Sequence, residues 1–106
     1  MSRTVIVAYT PKPGKDAALL AAVKKHLRVL QTEQLATDRP AHVMRAGNGT
    51  IIEVFEWRST DAIAKAHTNP AVQALWGEFG AACDYTSLDK LAECGKMFAE
   101  FESVAV

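Results

Sequence analysis

The sequence has few of the features that mark several common functional classes. No apolar run approaches the roughly 18 residues that a membrane span requires, and Met1-Ser2-Arg3-Thr4 leads into a strand-like segment without a signal-peptide core. The 12 basic and 12 acidic residues give a formal net charge of zero, so the basic patch of a nucleic-acid-binding protein is not expected. We therefore predict a cytoplasmic protein with neither a membrane nor a nucleic-acid partner.

Cysteine is also scarce, with only Cys83 and Cys94 in the chain. Without a secretion signal, a disulfide between them is not expected. Two cysteines with no matching set of histidines do not make a zinc site. Glycine-rich dinucleotide and phosphate loops, the Gly-x-Ser-x-Gly elbow and the His-Glu-x-x-His motif are absent too. We therefore expect no metal and no cofactor.

What the sequence does contain is a clear order of elements over 106 residues, the length of one domain. The predicted elements are a strand at Thr4–Tyr9, a helix from about Lys15 to Leu35, a hairpin around Gly47-Asn48-Gly49, a broken helix from Thr60 to Cys94 and a strand at Met97–Val104. This βαββαβ order predicts one ferredoxin-like α+β domain over residues 1–106, with an antiparallel sheet and helices on one face. The other face is then free to pack against a second copy, which predicts a homodimer.

Helical periodicity and capping residues support this order. Leu20, Val23, Leu27 and Leu30 form one apolar stripe on the first helix, and His26 beside it is interpreted as a boundary residue without chemistry. Asn69-Pro70 interrupts the second helix, because Asn is a good N-cap and Pro a good first helical residue.

The hairpin decides which side chains share a face. If Asn48-Gly49 is a two-residue turn, Met44 lies opposite Glu53 and His42 opposite Phe55. One face then carries a bulky, mixed set: His42, Met44, Ile51, Glu53, Phe55 and Trp57. The other face carries the smaller aliphatic residues, which suit packing under helices. We therefore predict that the bulky face is turned toward a pocket at the dimer interface.

Three short segments resemble the antibiotic biosynthesis monooxygenase family of the dimeric α/β-barrel superfamily: the strand leading into Pro13-Gly14-Lys15, the strand end Phe55-Glu56-Trp57-Arg58-Ser59, and the break His67-Thr68-Asn69-Pro70. The resemblance implies a homodimer whose sheets face each other across a pocket. Some members oxidise polycyclic phenols with O2 and without metal, flavin or haem, and other relatives isomerise lactones. The haem-degrading relatives have a histidine where this chain has Trp76-Gly77, so haem chemistry is not expected.

Three residues are candidates for a catalytic base. His67 lies before the helix break, and an imidazole is the side chain that most often accepts a proton in general base catalysis. His42 and Glu53 fall on one predicted sheet face, where the carboxylate would raise the basicity of the imidazole. The alternatives are a surface or capping histidine for His67 and an unrelated pair for His42 and Glu53.

Four aromatic residues are candidates for binding a flat ligand: Tyr9, Phe55, Trp57 and Phe98. Their alternative role is core or dimer-interface packing. The resulting prediction is a cofactor-independent monooxygenase that acts on a phenolic or quinol-type molecule. A non-enzymatic dimer that binds a small aromatic molecule, and an isomerase or lyase of the same superfamily, remain open alternatives.

Overall fold

An antiparallel five-stranded sheet carries the fold, and the computed structural model describes residues 1–106 around it. The strands are β1 Arg3–Pro11, β2 His42–Arg45, β3 Ile51–Trp57, β4 Cys83–Thr86 and β5 Glu102–Ser103, in the spatial order β4-β1-β3-β2-β5. The helices are α1 Asp16–Thr32, α2 Thr60–Ala66 and α3 Pro70–Ala82. Strands β1 to β4 have the ferredoxin-like arrangement, so the predicted fold class is confirmed. None of the helices combines the length and apolar character of a membrane span.

The two shorter helices begin at residues whose side chains cap them. Ser59 Oγ accepts the backbone N–H of Ala62 at 3.0 Å, and Asn69 Oδ1 accepts that of Val72 at 3.1 Å. Pro70 is the first residue of α3, where its missing N–H leaves no hydrogen bond unmade. The break predicted at Asn69-Pro70 is confirmed.

The predicted position of the last ferredoxin-like strand is wrong. Helix α3 ends at Ala82 instead of continuing, in pieces, to Cys94, and Cys83 is already extended with φ −150°. Residues Cys83–Thr86 pair with the edge of β1, where β-branched and aromatic side chains suit a strand. Within the predicted strand Met97–Val104, only Glu102–Ser103 is strand, and it pairs with β2 as a fifth strand.

The hairpin register also differs from the prediction by one residue. The N–H of Gly49 donates to the carbonyl of Ala46 at 2.9 Å, and Gly49 has φ +92°. The connection is therefore a three-residue loop closed by a left-handed glycine rather than a two-residue turn. As a result His42 pairs with Val54, not with Phe55.

The predicted orientation of the sheet is wrong as well. Phe55 and Trp57 pack under the helices, in one apolar cluster with Ala62, Ala66 and Val72. The small side chains of α2 and the start of α3 leave room for large strand residues, which explains why the bulky face is the covered one. The smaller aliphatic residues of β3, Ile52 and Val54, are turned away from the helices, whereas Val43 of the shifted β2 packs against α1 and α3.

That second face is only partly covered. The 3₁₀ turns Leu88–Lys90 and Ala92–Gly95 lead the chain back across it, so that Leu91 packs on Ala8 and Ile52. The remaining half is open, and Ile6 is 53% exposed there.

Candidate active site

An aromatic cavity of about 310 Å³ lies between the helix-covered face of the sheet and helices α1 and α3. Nine residues line it, and all except His26 are hydrophobic. The nine are Val5, Val7, Tyr9, His26, Phe55, Trp57, Trp76, Phe79 and Tyr85. They come from β1, α1, β3, α3 and β4, so the cavity belongs to the protomer itself. This placement differs from the predicted pocket between two sheets.

His26 is the only residue of helix α1 in this lining, and its imidazole is a polar, titratable side chain. Leu19, Val23, His26 and Leu30 are buried together on α1, at spacings of four, three and four residues. The interpretation of His26 as a boundary residue is therefore wrong. A fully buried imidazole in an apolar stripe requires a polar partner, which the sheet supplies.

That partner is Glu53 of β3, and Tyr9 of β1 shares it. Tyr9 Oη donates to Glu53 Oε1 at 2.7 Å, and His26 Nδ1 lies 2.7 Å from the same oxygen. All three side chains are buried. They form the Tyr9–Glu53–His26 triad, in which one carboxylate oxygen is held by two neighbours.

The protonation of Tyr9 fixes its part in the triad. Burial raises the pKa of Tyr9 far above its ordinary value, and the charge of Glu53 and its hydrogen bond raise it further. Tyr9 therefore keeps its proton and remains a donor to Glu53. When Glu53 is ionised and His26 neutral, Nδ1 carries the imidazole proton toward the carboxylate and Nε2 is left as the acceptor.

The acceptor nitrogen of His26 has no partner within the protein. The only buried side-chain nitrogen and oxygen atoms without a hydrogen bond are His26 Nε2 and Glu53 Oε2. The rings of Phe55 and Phe79 meet the imidazole edge to face, with centroids at 5.1 and 5.0 Å, and hold its orientation. His26 lines the apolar cavity, and an imidazole that is oriented by a carboxylate and has its second nitrogen unpartnered can act as a general base.

Sequence comparison matches the chain to no protein family and to no curated protein. Structural comparison finds solved structures with a similar fold. Rv0793 from Mycobacterium tuberculosis superimposes with a TM-score of 0.63 at 18% identity, over 81% of this chain and 91% of that one. SnoaB, a cofactor-independent oxygenase from Streptomyces nogalater, gives 0.66 at 13% identity, over 80% and 86%. The chain shares their fold. Identities this low show the fold alone, and that fold supports the resemblance seen in the sequence.

Four of the predicted site residues come together in or beside the cavity. Tyr9, Phe55 and Trp57 line it, and Glu53 lies behind His26. Phe98 does not join them, because it is 83% exposed in the segment before β5. Phe98 takes no part in the cavity of this protomer, and its place in a pocket between two protomers stays a prediction.

The two predicted histidines lie outside the cavity. His42 is exposed and lies on the sheet face opposite to Glu53, because the longer turn shifts β2 by one residue, so the predicted His42–Glu53 pair is wrong. His67 is exposed at the end of α2, where its Nδ1 lies 2.9 Å from the carbonyl oxygen of Ile63. Its ring meets Trp76 edge to face at 5.2 Å, outside the cavity lining.

Sequence reasoning missed His26, although the signal was present. Its spacing from Leu19, Val23 and Leu30 places it in the middle of the buried stripe, and only the choice of Leu20 as the stripe's start moved it to the edge. The structure contains no group of three His, Cys, Asp or Glu side chains that could hold a metal ion.

Proposed function

We propose that the protein is a cofactor-independent monooxygenase that oxidises a phenolic or quinol-type small molecule with O2. In this proposal the base is His26, in place of His67 and His42. The observation that carries it is the unpartnered Nε2 of His26, a residue that lines the aromatic cavity and is backed by Glu53. SnoaB, which has a similar fold, is a cofactor-independent oxygenase, and this supports such chemistry for the fold.

The reaction begins when a phenolic hydroxyl donates to His26 Nε2 and then transfers its proton. Glu53 stabilises the imidazolium that results, as a carboxylate does for a neighbouring cation. The substrate anion gives one electron to O2, and the two radicals combine as a peroxide on a ring carbon that carries hydrogen. Return of the proton and loss of water leave a carbonyl there. One oxygen atom enters the product, the other leaves as water, and the substrate supplies all four electrons.

The aromatic residues hold the substrate in this proposal. Tyr9, Phe55 and Trp57 form part of the wall, and apolar walls with few polar groups are typical of small-molecule sites. An isomerase or lyase would use the same base without O2, and a binding protein would use the same walls without a base. These alternatives differ in what they consume, so one assay separates them.

The test is oxygen uptake by purified, metal-stripped protein with hydroquinones and anthrone-like phenols, compared among three proteins. His26→Gln removes the base from the cavity, and we expect a loss of roughly 10²- to 10⁴-fold in rate, the usual contribution of a general base. His67→Gln is the matched control and should keep the wild-type rate. A folded His26→Gln protein with the wild-type rate would refute His26 as the base.

A wild-type protein without uptake would point to the alternatives. If these phenols still quench tryptophan fluorescence, the binding protein is favoured. If they are converted under nitrogen at the wild-type rate, the isomerase or lyase is favoured.

We also propose that the protein forms a homodimer through the open half of its second sheet face. Ile6 is 53% exposed there, and Met97 and Phe98 are 94% and 83% exposed on the segment that follows the 3₁₀ turns. A contiguous exposed apolar patch marks an interaction surface, and in this proposal these three side chains belong to one. In this dimer Phe98 contributes to the interface. The cytoplasmic location predicted from the sequence stays a prediction.

The dimer is tested by Ile6→Lys, because Ile6 is exposed on the proposed interface. A substitution of Phe55 would not serve as a test, because Phe55 is buried under the helices and the protomer would unfold. We expect a folded monomer by light scattering after size exclusion. Ala74→Lys, on an exposed position of α3, is the control and should keep the wild-type mass. A dimer that survives Ile6→Lys at micromolar concentration contradicts this interface.

A further inference from the structure

We infer that Tyr85 is a specificity-determining residue, whose ring stacks on the face of a flat aromatic substrate at the mouth of the cavity. This inference rests on the proposed function and adds a residue to its site. The expected consequence is that Tyr85 makes the cavity prefer an aromatic ring system to a saturated one of the same size. Exposure, packing and charge at Tyr85 each support this role.

Tyr85 marks the mouth of the cavity. Of the nine lining residues it alone is exposed, with 60% of its surface open to solvent, whereas the other eight are buried or half-buried. Strand β4 pairs only with residues 8–11 of β1, so the lining residues Val5 and Val7 lie where β1 itself is the edge of the sheet. A ligand at this edge covers an aromatic ring that water otherwise contacts, and burial of apolar surface is favourable.

Packing leaves the ring of Tyr85 available to a ligand. Seven of the other lining residues belong to the two large apolar clusters or pack against them, and His26 is held by Glu53. Tyr85 is not part of these clusters. Its only aromatic neighbour is Tyr9, its partner in the β1–β4 register, whose ring centroid lies 5.6 Å away at an angle of 59°. One side of the ring is therefore positioned by Tyr9, and the other has no aromatic partner in the protomer.

Charge favours a neutral ring at this position. Burial raises the pKa of Tyr85, and the neighbouring Cys83 and Glu53 raise it further. Tyr85 therefore keeps its proton at neutral pH and does not repel the phenolate that forms in the proposed reaction. Aromatic rings stack with offset or meet edge to face at centroid distances of about 4.5–7 Å, and such a pair is stabilised beyond the burial of its area. A saturated ring system of the same size lacks this second contribution.

The experiment is calorimetric titration, with oxygen removed, with 2-naphthol and with its saturated analogue decahydro-2-naphthol. Wild type should bind 2-naphthol more tightly, and Phe55, Trp57 and Trp76 contribute to that preference. Tyr85→Thr removes the ring and keeps a β-branched residue that suits a strand. We expect it to lower the ratio of the two affinities by roughly two- to tenfold, the share that one aromatic contact contributes beyond burial.

Two further variants make the result specific to the ring. Tyr85→Phe keeps the ring without the hydroxyl and should keep the wild-type ratio. Asp84→Ala changes the preceding, exposed residue of β4, whose side chain points to the opposite sheet face, and should keep it as well. If Tyr85→Thr does not fold, Tyr85→Leu makes the same comparison with an apolar side chain.

Three results overturn the inference. A folded variant without the ring that keeps the wild-type ratio shows that Tyr85 does not contact the ligand. A Tyr85→Phe protein that loses as much as Tyr85→Thr shows that the hydroxyl acts and not the ring. A wild type that does not bind 2-naphthol, or binds the two alcohols equally, has no aromatic preference to explain.

Oxygen uptake separates failure of this inference from failure of the proposed function. Stacking acts on the substrate and on the transition state alike, so Tyr85→Thr should raise KM for an oxidised phenol and leave kcat unchanged. An inactive wild type whose anaerobic binding depends on the ring of Tyr85 keeps the inference and loses the oxygenase. An active wild type whose KM and kcat are both unchanged by Tyr85→Thr keeps the oxygenase and refutes the role of Tyr85.

Discussion

Glu53→Leu is the perturbation that tests the buried triad most directly, because both other members depend on this carboxylate. The substitution removes the acceptor of Tyr9 Oη and of His26 Nδ1 and leaves both donors in the core. Each buried unsatisfied donor costs about 1–3 kcal/mol, and breaking a buried charged network costs about 3–5 kcal/mol in all. A domain of this size has a free energy of unfolding of about 5–15 kcal/mol, so the loss is a large fraction.

The control is a carboxylate in an exposed ion pair. Glu78 lies 2.6 Å from Lys25, and both side chains are about half exposed. Exposed pairs contribute about 0–1 kcal/mol, so Glu78→Leu should change the free energy of unfolding by less than about 1 kcal/mol.

A triple variant separates the cost of an unsatisfied donor from the value of the triad. Tyr9→Phe, His26→Leu and Glu53→Leu together replace the polar groups with apolar ones of comparable size. Well-packed apolar replacements of buried ionic groups are often neutral or stabilising, so we expect most of the stability lost in Glu53→Leu to return. The triple variant should nevertheless have no oxygenase activity, since the base is gone.

The assay is urea unfolding followed by the fluorescence of Trp57 and Trp76, which lie beside the triad in the cavity wall. The dependence on urea should stay the same in all variants, because a changed slope would indicate a changed denatured state. If Glu53→Leu costs less than about 1 kcal/mol, or if the triple variant is as unstable as the single one, the reasoning about buried donors is refuted.

Three further predictions concern pH, backbone conformation and capping. The wild-type free energy of unfolding should fall as the pH rises above 10.0, the ordinary pKa of Tyr9, because Tyr9 ionises there in the unfolded chain while its raised pKa keeps it protonated in the folded protein. In urea titrations Tyr9→Phe should reduce this decline by up to about 1.4 kcal/mol per pH unit. An unchanged decline would contradict the raised pKa. Gly49→Ala should destabilise the hairpin by about 1 kcal/mol because Gly49 has φ +92°, whereas Gly77→Ala, in the exposed interior of α3, should stabilise by about 0.5–1 kcal/mol in thermal melts. Asn69→Ala should cost about 1 kcal/mol through loss of the α3 cap, and Asn69→Ser, which keeps a capping oxygen, should cost less.

The sequence predicts correctly those element boundaries that depend on one or two neighbouring residues. Asn69-Pro70 ends α2 and begins α3 because one residue caps and the next cannot donate. The turn at Gly47-Asn48-Gly49 was also predictable, but its length was not: a two-residue and a three-residue loop both use Asn and Gly. Pairing across the sheet depends on that single residue, which is why His42 was predicted to share a face with Glu53.

The orientation of the sheet depends on the helices rather than on the strand. Ile52 and Val54 suit a helix-covered face when β3 is considered alone. Ala62 and Ala66 reverse the choice, because small helix residues need large strand residues opposite them to fill the core. Such complementarity becomes visible only when two distant segments are considered together.

The polar residues of the candidate site also depend on contacts between segments that are distant in the sequence. Glu53 lies in the apolar run Ile51–Phe55, and His26 lies among leucines and valines on α1; each residue alone has an ordinary explanation as a strand-edge or helix-boundary position. Once Phe55 faces the helices, side-chain alternation makes Glu53 face them too, and a buried carboxylate then requires donors from the elements around it. Tyr9 on the neighbouring strand and His26 on α1 are the donors within reach. The base of the proposed reaction therefore follows from the direction in which β3 faces, which the sequence pattern of β3 alone does not determine.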